Sequence, residues 1–452
     1  MKKILLTTIV VLLAVALNAQ VSVWDGSYEM WDTIHAGTED DPILIENAAQ
    51  FAYLQRHTRP FKNFKLMTDI DLNNIDWYPI GHSSITYASF MGSVDFNGHT
   101  IYHLTTTLFS VLDGSIKNLT IKDSDIVRHY DWNAFGGIAN FAYLIENCHN
   151  YGNVILNYDG NWIENWSMGG IAGECGEIRN CSYHGELKVI TKPKIGLLRI
   201  GGIAGEAGII TSSYNSGDMV LESEIKTCIM GGICGELILK AQYCYSSTDL
   251  STECDDSYVG GIVGGVYFSD QDTTFIKSCY FTGNIVADNI CGIIANNDYP
   301  TVTVMADDSY YINSITSQND YGTPKSEDEM KSEEFIGLLN ADEEVFFMDT
   351  YGYLNDGFPI LKWQHESHVG VDETDWQGNV AVYPNPVQSV LTVSGENLKE
   401  LVVINILGQP VLKTPCSGES VIIDLAGQPA GVYFIKITDK NGNKYSEKVV
   451  KD

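Results

Sequence analysis

Four octapeptides, MGGIAGEC (168–175), IGGIAGEA (200–207), MGGICGEL (230–237) and VGGIVGGV (259–266), are variants of one phrase. Gly-Gly pairs begin at Gly136, Gly169, Gly201, Gly231 and Gly260, and a degenerate copy keeps Gly292. The residues that follow are Ile138, Ile171, Ile203, Ile233, Ile262 and Ile293, spaced by 33, 32, 30, 29 and 31 residues. Self-similarity at such a period marks a stacked architecture, in which one copy cannot bury its apolar side and neighbouring copies bury it together.

Three more columns align with the isoleucines. Cys148, Cys181, Ser213, Cys244, Cys279 and Ser309 form one, and Val154, Leu187, Met219, Leu250, Ile285 and Ile315 follow it by six residues in every copy. Three residues ahead of the Cys/Ser column stand Ile145, Ile178, Ile210, Ala241, Ile276 and Ala306. Insertions fall between the other columns, where loops belong. Each copy reads as short strands of alternating apolar residues bounded by Gly, Asn and Asp. Stacked coils pair backbones at about 4.8 Å, so the Ile column becomes an internal ladder and the small Cys/Ser column a tight corner. Propeller blades need about 40 residues and four strands. These copies have room for roughly three short strands, which predicts a parallel β-helix.

The octapeptides resemble the GLUG repeat of bacterial surface proteins, which implies a right-handed parallel β-helix. The resemblance covers residues 40–365. DPILIENAAQFAYLQ, MTDIDLNNIDWYPIG and FMGSVDFNGHTIYHL within 40–104 are similar to the coils that lead into such repeats, and LFSVLDGSIKNLTI (108–121) looks like one further coil. GTPKSEDEMKSEEFIGLLN and DGFPILKWQ (356–364) resemble the closing segment. Its helical stretch, Ser326 to Asn340, is expected to cover the open end of the stack, where a bare strand edge invites aggregation.

Residues 366–378 (ESHVGVDETDWQG) are polar and without periodicity, and read as a linker. Beyond them lie apolar alternating runs with hairpin signals at Gly408-Gln409 and Asn441-Gly442, which predict a small antiparallel sandwich. Tyr383-Pro384-Asn385-Pro386, Asn405-Ile406-Leu407-Gly408-Gln409, Gly431-Val432-Tyr433 and the basic tail of Lys448 and Lys451 resemble the type A C-terminal sorting domain of type IX secretion cargo. That implies as partners the type IX secretion machinery and a sortase-like enzyme that removes the domain, with release or attachment to surface lipopolysaccharide. The final Asp452 departs from the basic end.

At the other end, Lys2 and Lys3 precede an apolar run, Ile4 to Leu17, and Ala19 is the small residue before a cut. This is the pattern of a secretory signal. The chain carries 27 Lys+Arg against 58 Asp+Glu, a formal charge of -31. That balance repels phosphate backbones and anionic lipid, so neither nucleic-acid binding nor membrane insertion is expected. The layout is therefore a signal peptide (1–19), an N-terminal cap with leading coils (20–107), repeats (108–318), a C-terminal cap (319–365), a linker (366–378) and the sorting domain (379–452). The fold class is all-β, a right-handed parallel β-helix followed by a small Ig-like antiparallel β-sandwich.

Candidate chemistry is sparse. Cys148/Cys181 and Cys244/Cys279 stack within the Cα range of a disulfide. In-register side chains point in parallel, however, and buried Cys behaves as a small apolar residue, so free thiols are expected. There is no Cys-x-x-Cys, no His-Glu-x-x-His and no Gly-x-Ser-x-Gly, and His365-Glu-Ser-His368 is too short for a helical zinc pair. The GLUG resemblance implies that Asp69, Asp71 and Asp76 are ordinary turn residues, and Asp270 and Asp272 read as a solvated loop. The loop His129-Tyr-Asp-Trp132 and the next, Tyr158 to Trp166, stack onto one edge. Trp132, Trp162 and Trp166 with Asp131 and Asp159 are therefore the candidate glycan-binding group, since flat rings beside carboxylates suit sugar faces and hydroxyls. The reading is an exported, non-enzymatic, adhesin-like or structural surface protein with no cofactor and a glycan or host-surface ligand. An extracellular glycan-binding module and a β-helical polysaccharide-active enzyme are the alternatives; grouped carboxylates in a groove would mark the enzyme.

Overall fold

The computed structural model describes residues 21–32, 34–56, 61–82, 89–128, 133–158, 163–191, 195–223, 225–254, 256–267, 273–296, 302–319, 321–349, 352, 354–368, 381–383, 386–395, 398–405, 410–416, 420–429, 431–440 and 444–451. It divides into two units, 1–361 and 362–452.

The first unit is a parallel β-helix. One full coil runs through Asn153–Tyr158, Ile163–Gly169, Ala172–Arg179 and Ser182–Tyr183. Each coil thus has four strands where roughly three were expected; the extra strand is the two-residue segment after the Cys/Ser corner. Like strands of successive coils pair in parallel and build four sheets, here numbered in coil order. Sheets I and II have six strands each and flank the middle coils. Sheet III has 12 strands and sheet IV has 11, and both extend into the leading coils.

The predicted columns are the rungs. Ile145, Ile178, Ile210, Ala241, Ile276 and Ala306 are consecutive register partners in sheet III. Val154, Leu187, Met219, Leu250 and Ile285 are partners in sheet I. The Ile138–Ile293 column is fully buried, and its amides bond down the stack: Ile171 N to Ile203 O at 3.0 Å and Ile203 N to Ile233 O at 2.9 Å. Every such ladder satisfies backbone groups that have no water partner inside.

The Gly-Gly pair sits where sheet II turns into sheet III. A Cβ on Gly201 would lie 2.1 Å from Ala204 O and 2.6 Å from the Cα of Cys234 in the next coil. No side chain fits, so the glycine is required by backbone approach rather than by flexibility.

The Cys/Ser corner between sheets III and IV has a more specific cause than small size. The preceding residue is left-handed in every copy: Asn147, Asn180, Ser212, Tyr243, Ser278 and Asp308 have φ between 48° and 55°. The next side chain then folds back on the carbonyl two residues earlier. Cys148 Sγ bonds Glu146 O at 3.1 Å, Ser213 Oγ bonds Thr211 O at 2.8 Å, and Cys279 Sγ bonds Lys277 O at 3.3 Å. A small residue with one donor meets both needs, which is why Cys and Ser interchange there.

At the N-terminal end, Asn47 caps the helix Ala48–Tyr53 through a bond from Gln50 N. Phe51 stacks on Trp77 at 5.5 Å, and Trp77 meets Trp24 edge-on at 5.4 Å, filling this end of the core with rings. At the other end the structure departs from expectation. The single helical stretch is two helices, Glu327–Met330 and Glu333–Leu339, each with its own serine cap, Ser326 and Ser332. Phe335 packs edge-on against Tyr280 at 5.9 Å and Tyr310 at 5.2 Å, on the outer column of sheet IV. Asn355 Nδ2 donates to Tyr280 Oη at 2.6 Å, Tyr280 Oη donates to Pro359 O, and Lys277 pairs with Asp342 at 2.5 Å. The segment is held to the side of the last coils because the outward column there is aromatic. The final rung of sheet IV is Thr323–Lys325, paired with Tyr310–Ile312.

The second unit opens with the helix Lys362–His368. It then forms two antiparallel sheets, one of Ala381–Tyr383, Val390–Ser394 and Ser420–Asp424, the other of Pro410–Pro415, Leu398–Asn405, Gly431–Asp439 and Lys444–Lys451. Leu391, Val393 and Ile423 from the first share a core with Leu401, Val403, Ile435, Ile437 and Val449 from the second, which makes the unit a small sandwich.

Candidate functional site

The aromatic edge expected around the first two inserted loops is only partly described. Trp132, Asp131, Asp159 and Trp162 lie outside the described residues. Trp166 is not at the surface. It belongs to strand Ile163–Gly169, pairs in register with Leu198, and is 0% exposed in the apolar core. The Arg128 guanidinium lies 4.2 Å from its ring centre. Strand alternation explains the correction, since Trp166 and Met168 share the inward face and a ring there presents no surface to a sugar.

A group that the sequence reading passed over is formed by the glutamates of the opening octapeptides. Glu174, Glu206 and Glu236 are successive register partners in sheet III. Arg199, from sheet II, reaches across the Gly-Gly corner to bond Glu236, and its Nε lies 4.0 Å from Glu206. The Tyr267 ring is 5.8 Å from the same guanidinium. Side-chain exposure is 12% for Arg199, 19% for Glu206 and 5% for Glu236, so the group is largely closed to water.

Three carboxyls sharing one guanidinium cannot all ionise cheaply. Burial, then the neighbouring Glu174, push the Glu206 carboxyl up to about 7, against the pull of Arg199; Glu236 adds to the rise. Glu174 is raised by burial, with its hydrogen bond to Ser167 opposing. Burial works against the Arg199 charge, but Glu236 and Glu206 outweigh it and hold the cation more firmly. The column therefore keeps a proton near neutral pH. The signal was present in the sequence as a Glu at one fixed place after three Gly-Gly pairs. It was missed because the partner, Arg199, comes from a different strand of the coil.

Histidines form further polar clusters. Asp69 bonds His99 Nδ1 at 2.9 Å and accepts Thr100 N at 3.0 Å; Asp71 bonds His103 Nδ1 at 2.7 Å and accepts Asn73 N at 2.7 Å. These carboxylates tie one leading coil to the next. On sheet IV, Ser182 Oγ lies 2.9 Å from both His149 Nδ1 and His184 Nε2, and His184 also meets Tyr214 Oη at 3.1 Å and Ser216 Oγ at 2.9 Å. Burial depresses both imidazoles to about 4, so they are neutral at physiological pH. Tyr151 stacks flat on His184 at 4.2 Å. Asp270 and Asp272 lie outside the described residues.

In the sandwich, Tyr433 is buried and donates to Pro429 O at 2.8 Å, at the start of the strand opened by Gly431. Tyr383 and Pro386 are exposed, whereas Pro384, Asn385 and Gly408 are outside the described residues. Lys451 Nζ reaches Gln388 O at 2.6 Å and closes the C-terminal strand.

Residues 381–452 match the family described as the secretion system C-terminal sorting domain. The chain is also similar to the endo-acting ulvan lyase of Formosa agariphila, 37% identical over 75 residues, which is 16% of this chain and 14% of that protein. The chain thus covers about a seventh of that relative's length. No helix of the described residues is long and apolar enough to cross a membrane. The C-terminal sandwich is a type IX sorting domain, and it marks this chain for the cell surface or the medium.

Proposed function

We propose that the exported chain is a non-enzymatic, adhesin-like or structural surface protein, with its coils of the GLUG type and its specificity in the loops that interrupt them. A signal peptide ending near Ala19 starts export, and a sortase-like enzyme removes the sandwich after the 366–378 linker. The observation that carries this reading is the way the described polar groups are spent on the stack itself. Glu206 and Glu236 face Arg199, His184 is tied to Ser182, Tyr214 and Ser216, and the corner thiols bond backbone carbonyls. Such groups build a long, stable surface.

The glutamate column is the grouped-carboxylate sign on which the enzyme alternative turns, so it is the second reading. Its low exposure and its engaged guanidinium favour a structural ion-pair network. The similarity to a lyase extends over a length close to that of the sorting domain alone, and so argues for shared export rather than shared chemistry. One experiment separates the two readings. The secreted chain is applied to glycan and matrix-protein arrays, and reducing-sugar release is measured on the same polysaccharides. Binding without release supports the proposal. Release that is lost in Glu206→Gln establishes the enzyme instead.

A further inference from the structure

The corner column carries its cysteines in adjacent pairs. Down the stack the order is Cys148, Cys181, Ser213, Cys244, Cys279, Ser309. Every thiol in it has one thiol neighbour, and a hydroxyl separates one pair from the next. The backbone places each pair on facing positions of consecutive coils. Asn147 N donates to Arg179 O at 2.9 Å and Ser182 N to Cys148 O at 3.1 Å; Tyr243 N donates to Lys277 O at 3.1 Å and Tyr280 N to Cys244 O at 3.0 Å. Facing positions one rung apart are separated by about 4.8 Å, inside the roughly 4.4–6.8 Å that a disulfide spans between Cα atoms. All four are free thiols in this structure.

Losing the S–H donors leaves no carbonyl stranded. The carbonyl two residues before each corner thiol also accepts a rung amide: Glu146 O from Asn118 N, Arg179 O from Asn147 N, Gln242 O from Ser212 N, and Lys277 O from Tyr243 N. The sulfurs are therefore released for bond formation at little cost in hydrogen bonding.

We propose that Cys148–Cys181 and Cys244–Cys279 are oxidised to disulfides once the chain leaves the cytoplasm, stapling neighbouring coils at two levels. The oxidant is an extracytoplasmic disulfide, protein-borne or small. One cysteine thiolate attacks it and expels one of its sulfurs as a thiol; the partner cysteine then displaces the other. Two S–H bonds are lost, one S–S bond forms, and the oxidant disulfide leaves as two thiols. All four cysteines are fully buried in the finished coil. Exchange therefore precedes closure of these rungs, while the chain is still folding.

The test uses the exported chain collected from the medium, unfolded in guanidinium and alkylated with or without prior reduction. The expected result is that Cys148, Cys181, Cys244 and Cys279 alkylate only after reduction, with cross-linked peptides joining 148 to 181 and 244 to 279. Full alkylation of these four without reduction overturns the proposal, as do cross-links to other partners. In the Cys148→Ser/Cys181→Ser chain, serine occupies the column as it already does at Ser213 and Ser309. That chain is expected to fold and to keep only the 244–279 cross-link. Reduced chain refolded with oxidised glutathione is expected to regain both staples and to unfold at higher urea than chain refolded with reduced glutathione. Equal midpoints with both cross-links absent count against it.

Discussion

Glu206→Gln isolates the electrostatic cost of the glutamate column. In the folded chain the Glu206 carboxyl is raised from its ordinary 4.5 to about 7, first by burial and then by Glu174. The folded state therefore holds a proton that the unfolded chain has released. Stability contributed by this group is fully present below pH 4.5 and is lost as pH rises through 7. With 1.36 kcal/mol per pKa unit, the loss between pH 5 and pH 8 is about 2–3 kcal/mol. The side chain is only 19% exposed, so solvent screening removes little of it. Glutamine keeps the shape and never ionises. Urea unfolding of variant and wild type is compared at pH 5 and pH 8, and the quantity read is the change in their difference, which cancels any packing cost of the amide. The variant is expected to gain about 2–3 kcal/mol on the wild type between the two pH values. A difference that does not move with pH, or that moves against the variant at pH 8, refutes the shared-proton account. Arg199 would then suffice for all three carboxylates.

Three other outcomes follow from the same geometry. Ile203→Ala removes a fully buried rung of the Ile column with neighbours above and below, and its thermal or urea midpoint is expected to show a loss of about 2–5 kcal/mol; a loss under 1 kcal/mol would mean the coils collapse around the gap. Tyr280→Phe deletes the hydroxyl that holds Asn355 and Pro359, so limited proteolysis is expected to cut the 326–361 segment several-fold faster while the coils stay intact; unchanged cutting would show that Phe335 and Phe346 hold the segment unaided. His149 and His184 are depressed from 6.5 to about 4 by burial, so their stabilising contribution is present above pH 6.5 and lost as pH falls toward 4. The wild type is expected to lose urea resistance over that window, and His184→Gln to lose less of it.

Much of the coil was legible because its determinants are local and repeat. The Ile, Cys/Ser and Val/Leu columns could be aligned by counting, and stacked coils convert equal sequence position into a shared rung. What stayed hidden depended on contacts between different strands of the coil. Arg199 lies seven residues before Glu206 and on another sheet, and no spacing rule joins the two. The left-handed residue before each corner is Asn, Ser, Tyr or Asp, so a backbone requirement was masked by varied side chains. Trp166 was misplaced because the loop was read as running to residue 166. The strand already begins at Ile163, and from there alternation turns the ring inward.

The cap segment shows how the two kinds of determinant combine. Tyr214, Tyr245, Tyr280 and Tyr310 form an outward column in sheet IV, and their rings lie flat on one another at 4.8 Å between Tyr214 and Tyr245 and 5.0 Å between Tyr245 and Tyr280. Such a column of rings on a solvent face would leave a long apolar stripe. A segment folded back along the side covers Tyr280 and Tyr310 with Phe335, and Phe346 also packs on Tyr280. The two-helix break at Lys331-Ser332 follows from that choice, because Ser332 must cap a new helix whose Phe335 faces the coil wall. Sheet IV ends on the Thr323–Lys325 strand, a short last rung whose Pro324 offers no amide to a further strand. Edge protection and side-wall packing are therefore separate tasks in this chain, carried by different residues of one closing segment.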